Sequence, residues 1–193
     1  MNTMLRKSVL AIAGLTVAGG LAAGPLNHTD TTTNTSTATV AQATKPDTAK
    51  LIPHGVQGNQ SHIDLNDEQV ENTKAIIAAT KKTGMDERAA VVSIATALQE
   101  SKLENLGHLG DRNDHDSQGL FQQRPSSGWG TVEQITDPEY STTAFLKGLQ
   151  QVDGWQNMPL TEAAQTVQVS AYPFHYAQWE QQAADLVAEH WNS

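Results

Sequence analysis

The chain has 193 residues, no cysteine and a formal net charge of −9, with 21 acidic side chains against 12 Lys and Arg. That length suits one domain with appendages. The lack of cysteine excludes disulfides and a lipid-modified N-terminal cysteine. The acidic balance argues against nucleic acid as a partner, because phosphate backbones demand a basic footprint.

Met1 to Ala23 read as a signal peptide. Arg6 and Lys7 form the charged start, Val9 to Ala23 carry no charge, and Leu21-Ala22-Ala23 offers a small-residue cleavage site. The apolar run is short for a membrane span, so a membrane is expected as a partner only if the leader stays uncleaved. Its removal takes away two cations and no acid, which leaves the mature chain more acidic still. Residues 24–61 are rich in Thr, Asn, Ala and Gln, with HTDTTTNTSTATVAQATK at their centre and hardly an aliphatic side chain to bury. They read as a disordered linker. The folded domain is expected over residues 62–193, secreted, and stabilised by its core alone.

Within it the periodicity is helical throughout. Asn66 and Gln69 make a capping-box start, Val70, Ala75, Ile76, Ile77 and Ala79 give one face, and Gly84 ends the helix. Asp86 caps a second helix running through Ala89 to Gln99, close enough to the first to form a hairpin. Asp137-Pro138 starts a third, with Tyr140, Ala144, Phe145, Leu149 and Val152 at helical spacing. Pro159-Leu160-Thr161-Glu162 begins another with Thr161 as its cap, and the last is expected from about His175 to Trp191. No window alternates in the manner of a strand, so the domain is expected to be all-α.

The chemistry concentrates between Ala95 and Pro125, ATALQESKLENLGHLGDRNDHDSQGLFQQRP. Leu98, Ile94 and Val91, with Ala97, Ala95 and Ala90 one step round, form a buried helical face that delivers Glu100 at its end. A carboxylate against apolar neighbours and away from cations has its ionised form disfavoured and becomes a usable acid near neutrality. The plain alternative is a solvated acid in the last turn of a helix.

Three pieces in order, ALQES ending at Ser101, Gly119-Leu120-Phe121-Gln122-Gln123 and Ala171-Tyr172, resemble the soluble lytic transglycosylases. In that family a helix ending in "ES" carries the catalytic acid, a "GLMQ" segment lines the sugar groove, and the tyrosine of an "AY" motif contacts the glutamate. Together with GWGTVEQITDP, the string is similar to secreted actinobacterial lysozyme-like domains. The resemblance implies a lysozyme-like helical fold and cleavage of the β-1,4 bond between N-acetylmuramic acid and N-acetylglucosamine. Glu100 would be the general acid and base, and Ser117, Gly119, Gln122, Gln123 and Tyr172 would orient sugar or glutamate. Two departures are the polar insert DRNDHD and Pro173 directly after Tyr172.

Peptidoglycan glycan strands are the expected partner of a monomer. In the hydrolytic version a second carboxylate must face Glu100 across the bond. Asp111, Asp114 and Asp116 are the near choices, and no motif fixes any of them, which tilts the reading to a transglycosylase. A calcium loop in DRNDHDSQG lacks its terminal bidentate glutamate. A zinc site at His108 and His115 lacks a third ligand. No metal and no cofactor is expected. All ten aromatic residues follow Glu100. Phe145, Trp179 and Trp191 at helical spacing read as core. Trp129, in Ser126-Ser127-Gly128-Trp129-Gly130, either plugs its loop onto the domain or stacks on a sugar ring. The competing function is a non-catalytic wall-binding or scaffolding domain on the same fold. A third reading is an enzyme acting on chitin, which lacks the lactyl ether and peptide of muramic acid.

Overall fold

The computed structural model describes residues 46–110 and 115–193. The leader, the linker up to residue 45, and Asp111 and Asp114 lie outside the described residues. Helices α1 (Thr48–Leu51), α2 (Asp67–Lys82), α3 (Glu87–Ser101), α4 (Val132–Ile135), α5 (Pro138–Leu149), α6 (Leu160–Gln168) and α7 (Glu180–His190) are joined by turns and short 3-10 segments. Among the described residues there is no strand beyond the isolated bridge of Gln118 with Gln123. None of the described helices is long and apolar enough to cross a membrane. The all-α expectation holds.

Helix α3 is the axis of the domain. Every residue from Arg88 to Leu98 is buried, so this helix is enclosed on all sides rather than amphipathic. Ala89, Ala90, Ala95 and Ala97 keep its surface thin enough for α2, α5, α6 and α7 to approach. Its buried hydroxyls are satisfied locally, Ser93 donating to the Ala89 carbonyl and Thr96 to that of Val92. Asp86 caps its start by accepting from the Ala89 amide. The helix packed beside it, α2, carries the expected reciprocal cap between Asn66 and Gln69.

The end of α3 sets the position of Glu100. Lys102 and Leu103 both adopt positive φ, 57° and 64°, which stops the helix abruptly. Two side chains of α2 secure that stop: Gln69 donates to the Lys102 carbonyl at 2.8 Å and Asn72 to the Leu103 carbonyl at 2.9 Å. Leu103 is fully buried beneath them. At the other end of α3, Arg88 pairs with Glu180 of α7 at 2.7 Å, with both side chains buried. Its guanidinium also donates to the Leu51 carbonyl.

That last contact corrects the domain boundary. The linker expected to continue to residue 61 ends earlier, because α1 packs onto the domain and buries Leu51 and Ile52 in the core. The strap that follows is held by polar contacts. Ser61 donates to Gln178 through both amide and hydroxyl, and Gln60 donates to the Ala177 carbonyl. Two adjacent aliphatics in a polar run suffice when a buried arginine is waiting for a carbonyl.

Two helix starts also differ. Pro159, not Thr161, precedes the first residue of α6, and the Thr161 hydroxyl donates instead to the Pro173 carbonyl at 2.6 Å. The last helix begins as a 3-10 turn, His175–Trp179, before continuing as α7. Phe145 and Trp179 are core residues, and Trp191 is partly buried against the core.

Candidate active site

The loop after α3 folds back over the end of that helix. Ser101 Oγ donates to the Leu120 carbonyl at 2.8 Å, so the serine beside Glu100 ties the GLFQQ turn to the helix. The turn closes with the Gln118 amide donating to the Gln123 carbonyl and the Gly119 amide donating to that of Leu106. Gln168 of α6 secures its far side by donating to the Phe121 carbonyl.

Between this turn and the segment Val167 to Tyr172 lies a cleft of about 620 Å³. It brings Glu100 together with Ser117, Gln122, Gln123, Trp129 and Tyr172. Of the expected binding residues only Gly119 is elsewhere. Its φ is +78°, and a Cβ there would lie 2.0 Å from the Ile135 carbonyl oxygen. Gly119 therefore serves close packing of the turn on α4 and lies outside the cleft lining. Gln123 lines the cleft but is anchored, its amide donating to the Ser141 carbonyl at 3.1 Å. Ser117 is buried and accepts from Arg124 Nε at 2.8 Å. Gln122, at φ 47°, folds its amide back to the Gly119 carbonyl. Trp129 is half-buried and borders the cleft.

The tyrosine that touches Glu100 is not the one the motif suggests. Tyr172 is 62 % exposed and stacks on His175 with ring centroids 5.0 Å apart. Tyr176 is fully buried, and its hydroxyl donates to Glu100 Oε1 at 2.6 Å. Burial first, then the charge of Glu100 and the bond to it, push the Tyr176 phenol far above its ordinary range. It therefore stays a donor at every working pH. A legible signal existed, since Tyr176, Trp179, Ala183 and Val187 form one helical stripe and all are buried. Tyr172 lies off that stripe, and the turn through Pro173 carries it to the rim.

Other neighbours of Glu100 were also invisible in the motifs. Gln99, one residue earlier, accepts from Trp179 Nε1 at 2.9 Å and from Gln178 at 3.0 Å, fixing the 3-10 turn that carries Tyr176. The expectation that Glu100 lies away from cations is not met. Lys102 sits 4.6 Å above the Trp179 ring and donates to the Leu98 carbonyl. Burial lowers its pKa, and the charge of Glu100 opposes that shift.

Among the described acids, Glu100 alone lines the cleft. Asp116 is occupied elsewhere, accepting from both the amide and hydroxyl of Ser126. Those bonds hold its carboxyl below the usual range. His108 Nδ1 accepts from the Gly110 amide. No group of three or more His, Asp or Glu among the described residues converges as a metal site. Compared with known proteins, the chain matches no family model and no curated sequence.

Proposed function

We propose that the protein is a secreted enzyme that cleaves the β-1,4 bond between N-acetylmuramic acid and N-acetylglucosamine in peptidoglycan, with Glu100 as its general acid and base. One observation carries this reading. A half-buried carboxylate, the one acid among the described residues that lines the cleft, stands at the end of a buried helix, held by a buried phenol, beside glutamine amides and an indole. Amides suit sugar hydroxyls and acetamido groups, and aromatic faces suit the C–H face of a sugar ring.

With Oε1 accepting from Tyr176, the transferable proton of Glu100 sits on Oε2. Glu100 gives that proton to the glycosidic oxygen as the bond from the muramoyl C1 to that oxygen breaks, releasing the N-acetylglucosamine end as an alcohol. The resulting carboxylate then takes the proton of the muramoyl 6-hydroxyl as its oxygen bonds to C1. This leaves a 1,6-anhydro sugar and restores the acid. Among the described acids none accompanies Glu100 in the cleft lining, Asp116 being bonded to Ser126 outside it, and this supports the internal attack over a two-carboxylate hydrolysis.

Mass spectrometry of soluble fragments from purified peptidoglycan tests the route. Anhydro-muropeptides are expected, whereas reducing-end muropeptides would replace the internal attack with water. If the folded protein pellets with the wall and releases nothing, the domain is a wall-binding module.

A further inference from the structure

Trp129 borders more than the cleft that holds Glu100. It also lines a second pocket of about 280 Å³ whose other walls are Gly128, Tyr140, Thr143, Ala144 and Lys147. Tyr140, Thr143, Ala144 and Lys147 recur at three- and four-residue spacing and so form one stripe of α5. Gly130, at φ +138°, brings this stripe to the indole. A Cβ at that position would come within 3.0 Å of Tyr140 Cε1 and of its hydroxyl. Only a glycine lets the phenol ring pack on the backbone next to Trp129. The result is a small recess with two aromatic rings, a methyl, a hydroxyl and an ammonium.

Among the described lysines, Lys147 and the exposed Lys50 are the two whose ammonium makes no hydrogen bond or ion pair, and only Lys147 of these lines a pocket. Lys74 pairs with Glu71 and Lys82 with Glu139, while Lys81 donates to the Trp191 carbonyl and Lys102 to that of Leu98. Lys147 makes no hydrogen bond or ion pair with a described residue, although acids outnumber Lys and Arg by 21 to 12. A cation left open beside two rings suits a ligand that carries a carboxylate next to apolar groups.

Resting on the glycan-cleaving reading above, we propose that the pocket of Trp129, Tyr140 and Lys147 is a subsite for the stem peptide of peptidoglycan. Lys147 binds a peptide carboxylate, and the two rings cover the adjoining methyl and backbone groups. Because Trp129 lines both spaces, a glycan in the main cleft reaches this pocket with its peptide branch simply by passing the indole. The subsite supplies the contact that separates peptidoglycan from chitin, whose N-acetylglucosamine units bear neither lactyl ether nor carboxylate.

The test measures binding, by calorimetry, of the full chain carrying Glu100→Gln to two soluble oligosaccharides of alternating N-acetylglucosamine and N-acetylmuramic acid, one with stem peptides and one without. The peptide-bearing glycan is expected to bind about tenfold more tightly, the worth of one charge-assisted contact with ring cover. Adding Lys147→Gln is expected to reduce that preference to within about twofold, and Lys147→Arg to keep most of it. A preference that survives Lys147→Gln overturns the assignment to this pocket. Equal binding of both glycans by the parent overturns the peptide subsite while leaving the glycan cleft standing. Binding of neither overturns the subsite together with the glycan-cleaving reading.

Discussion

The two sides of the cleft are built on different principles. The side formed by the turn through Gln118 to Gln123 is cross-linked to the domain by buried polar bonds, from Ser101 to Leu120, Gln123 to Ser141 and Gly119 to Leu106. The opposite lip, through Val169, Tyr172 and Phe174, exposes those three side chains by 79, 62 and 78 %. It is tied down by fewer bonds, chiefly Gln165 to the Ser170 carbonyl and Thr161 to that of Pro173. The difference teaches where sequence changes act. On the first side they are expected to register as stability, and on the lip, under the proposed function, as substrate handling.

The largest expected effect lies in the frame beneath both sides. Arg88→Met leaves Glu180 buried without its partner and the Leu51 carbonyl without its donor, and denaturant unfolding is expected to show a loss of about 3–5 kcal/mol. A loss below 1 kcal/mol would mean that α1 and α7 are not held as described.

Gly119→Ala sharpens the contrast between the sides. The new Cβ meets the Ile135 carbonyl and the residue keeps a positive φ, so a loss of about 3 kcal/mol is expected on the cross-linked side. Tyr172→Ala, on the lip, is expected to change stability by no more than about 0.5 kcal/mol while weakening glycan affinity about three- to tenfold. Reversed rankings would break the comparison.

The two tyrosines sharpen it further. Tyr176→Phe removes the hydrogen bond to Glu100 and is expected to slow fragment release about tenfold, whereas Tyr172→Phe keeps the ring and is expected to stay within about twofold of the wild type. Equal effects would return the motif tyrosine to the glutamate.

The smallest effect concerns acid. Asp116 has its pKa held below the ordinary 3.8 by its bonds to Ser126. Its folded pKa is depressed, so its contribution is fully present above the unfolded value and lost as pH falls through the folded one. Exchange protection of the Ser126 amide is therefore expected to persist down through pH 3.8 and to be lost only as the pH falls through the lower folded value. Asp116→Asn is expected to lack that step.

Much of the fold was legible because its signals are local. The reciprocal cap at Asn66, the caps at Asp86 and Asp137, and the apolar face of α3 each fix a helix through its own few residues. What escaped depends on distant partners. α1 is tied to the domain by Arg88, 37 residues from Leu51, whose guanidinium donates to the Leu51 carbonyl. Gly119 looked like a groove residue, yet its lack of a side chain answers to the Ile135 carbonyl on α4. Tyr172 satisfied the order of letters, while the periodicity that buries Tyr176 beside Trp179 and Ala183 decided which phenol meets Glu100. The capping box at Thr131 and Gln134 that starts α4 was present in the sequence, but a four-residue helix is too short to show periodicity.

Under the proposed function the carboxylate held by Tyr176 performs the cleavage. The most direct measurement is the rate at which the full chain and its Glu100→Gln variant release soluble fragments from purified peptidoglycan, with circular dichroism confirming that both are folded. The variant is expected to lose at least about a thousandfold in rate, the size of effect that removal of a general acid carries. Release by Glu100→Gln within about tenfold of the wild type would contradict that role.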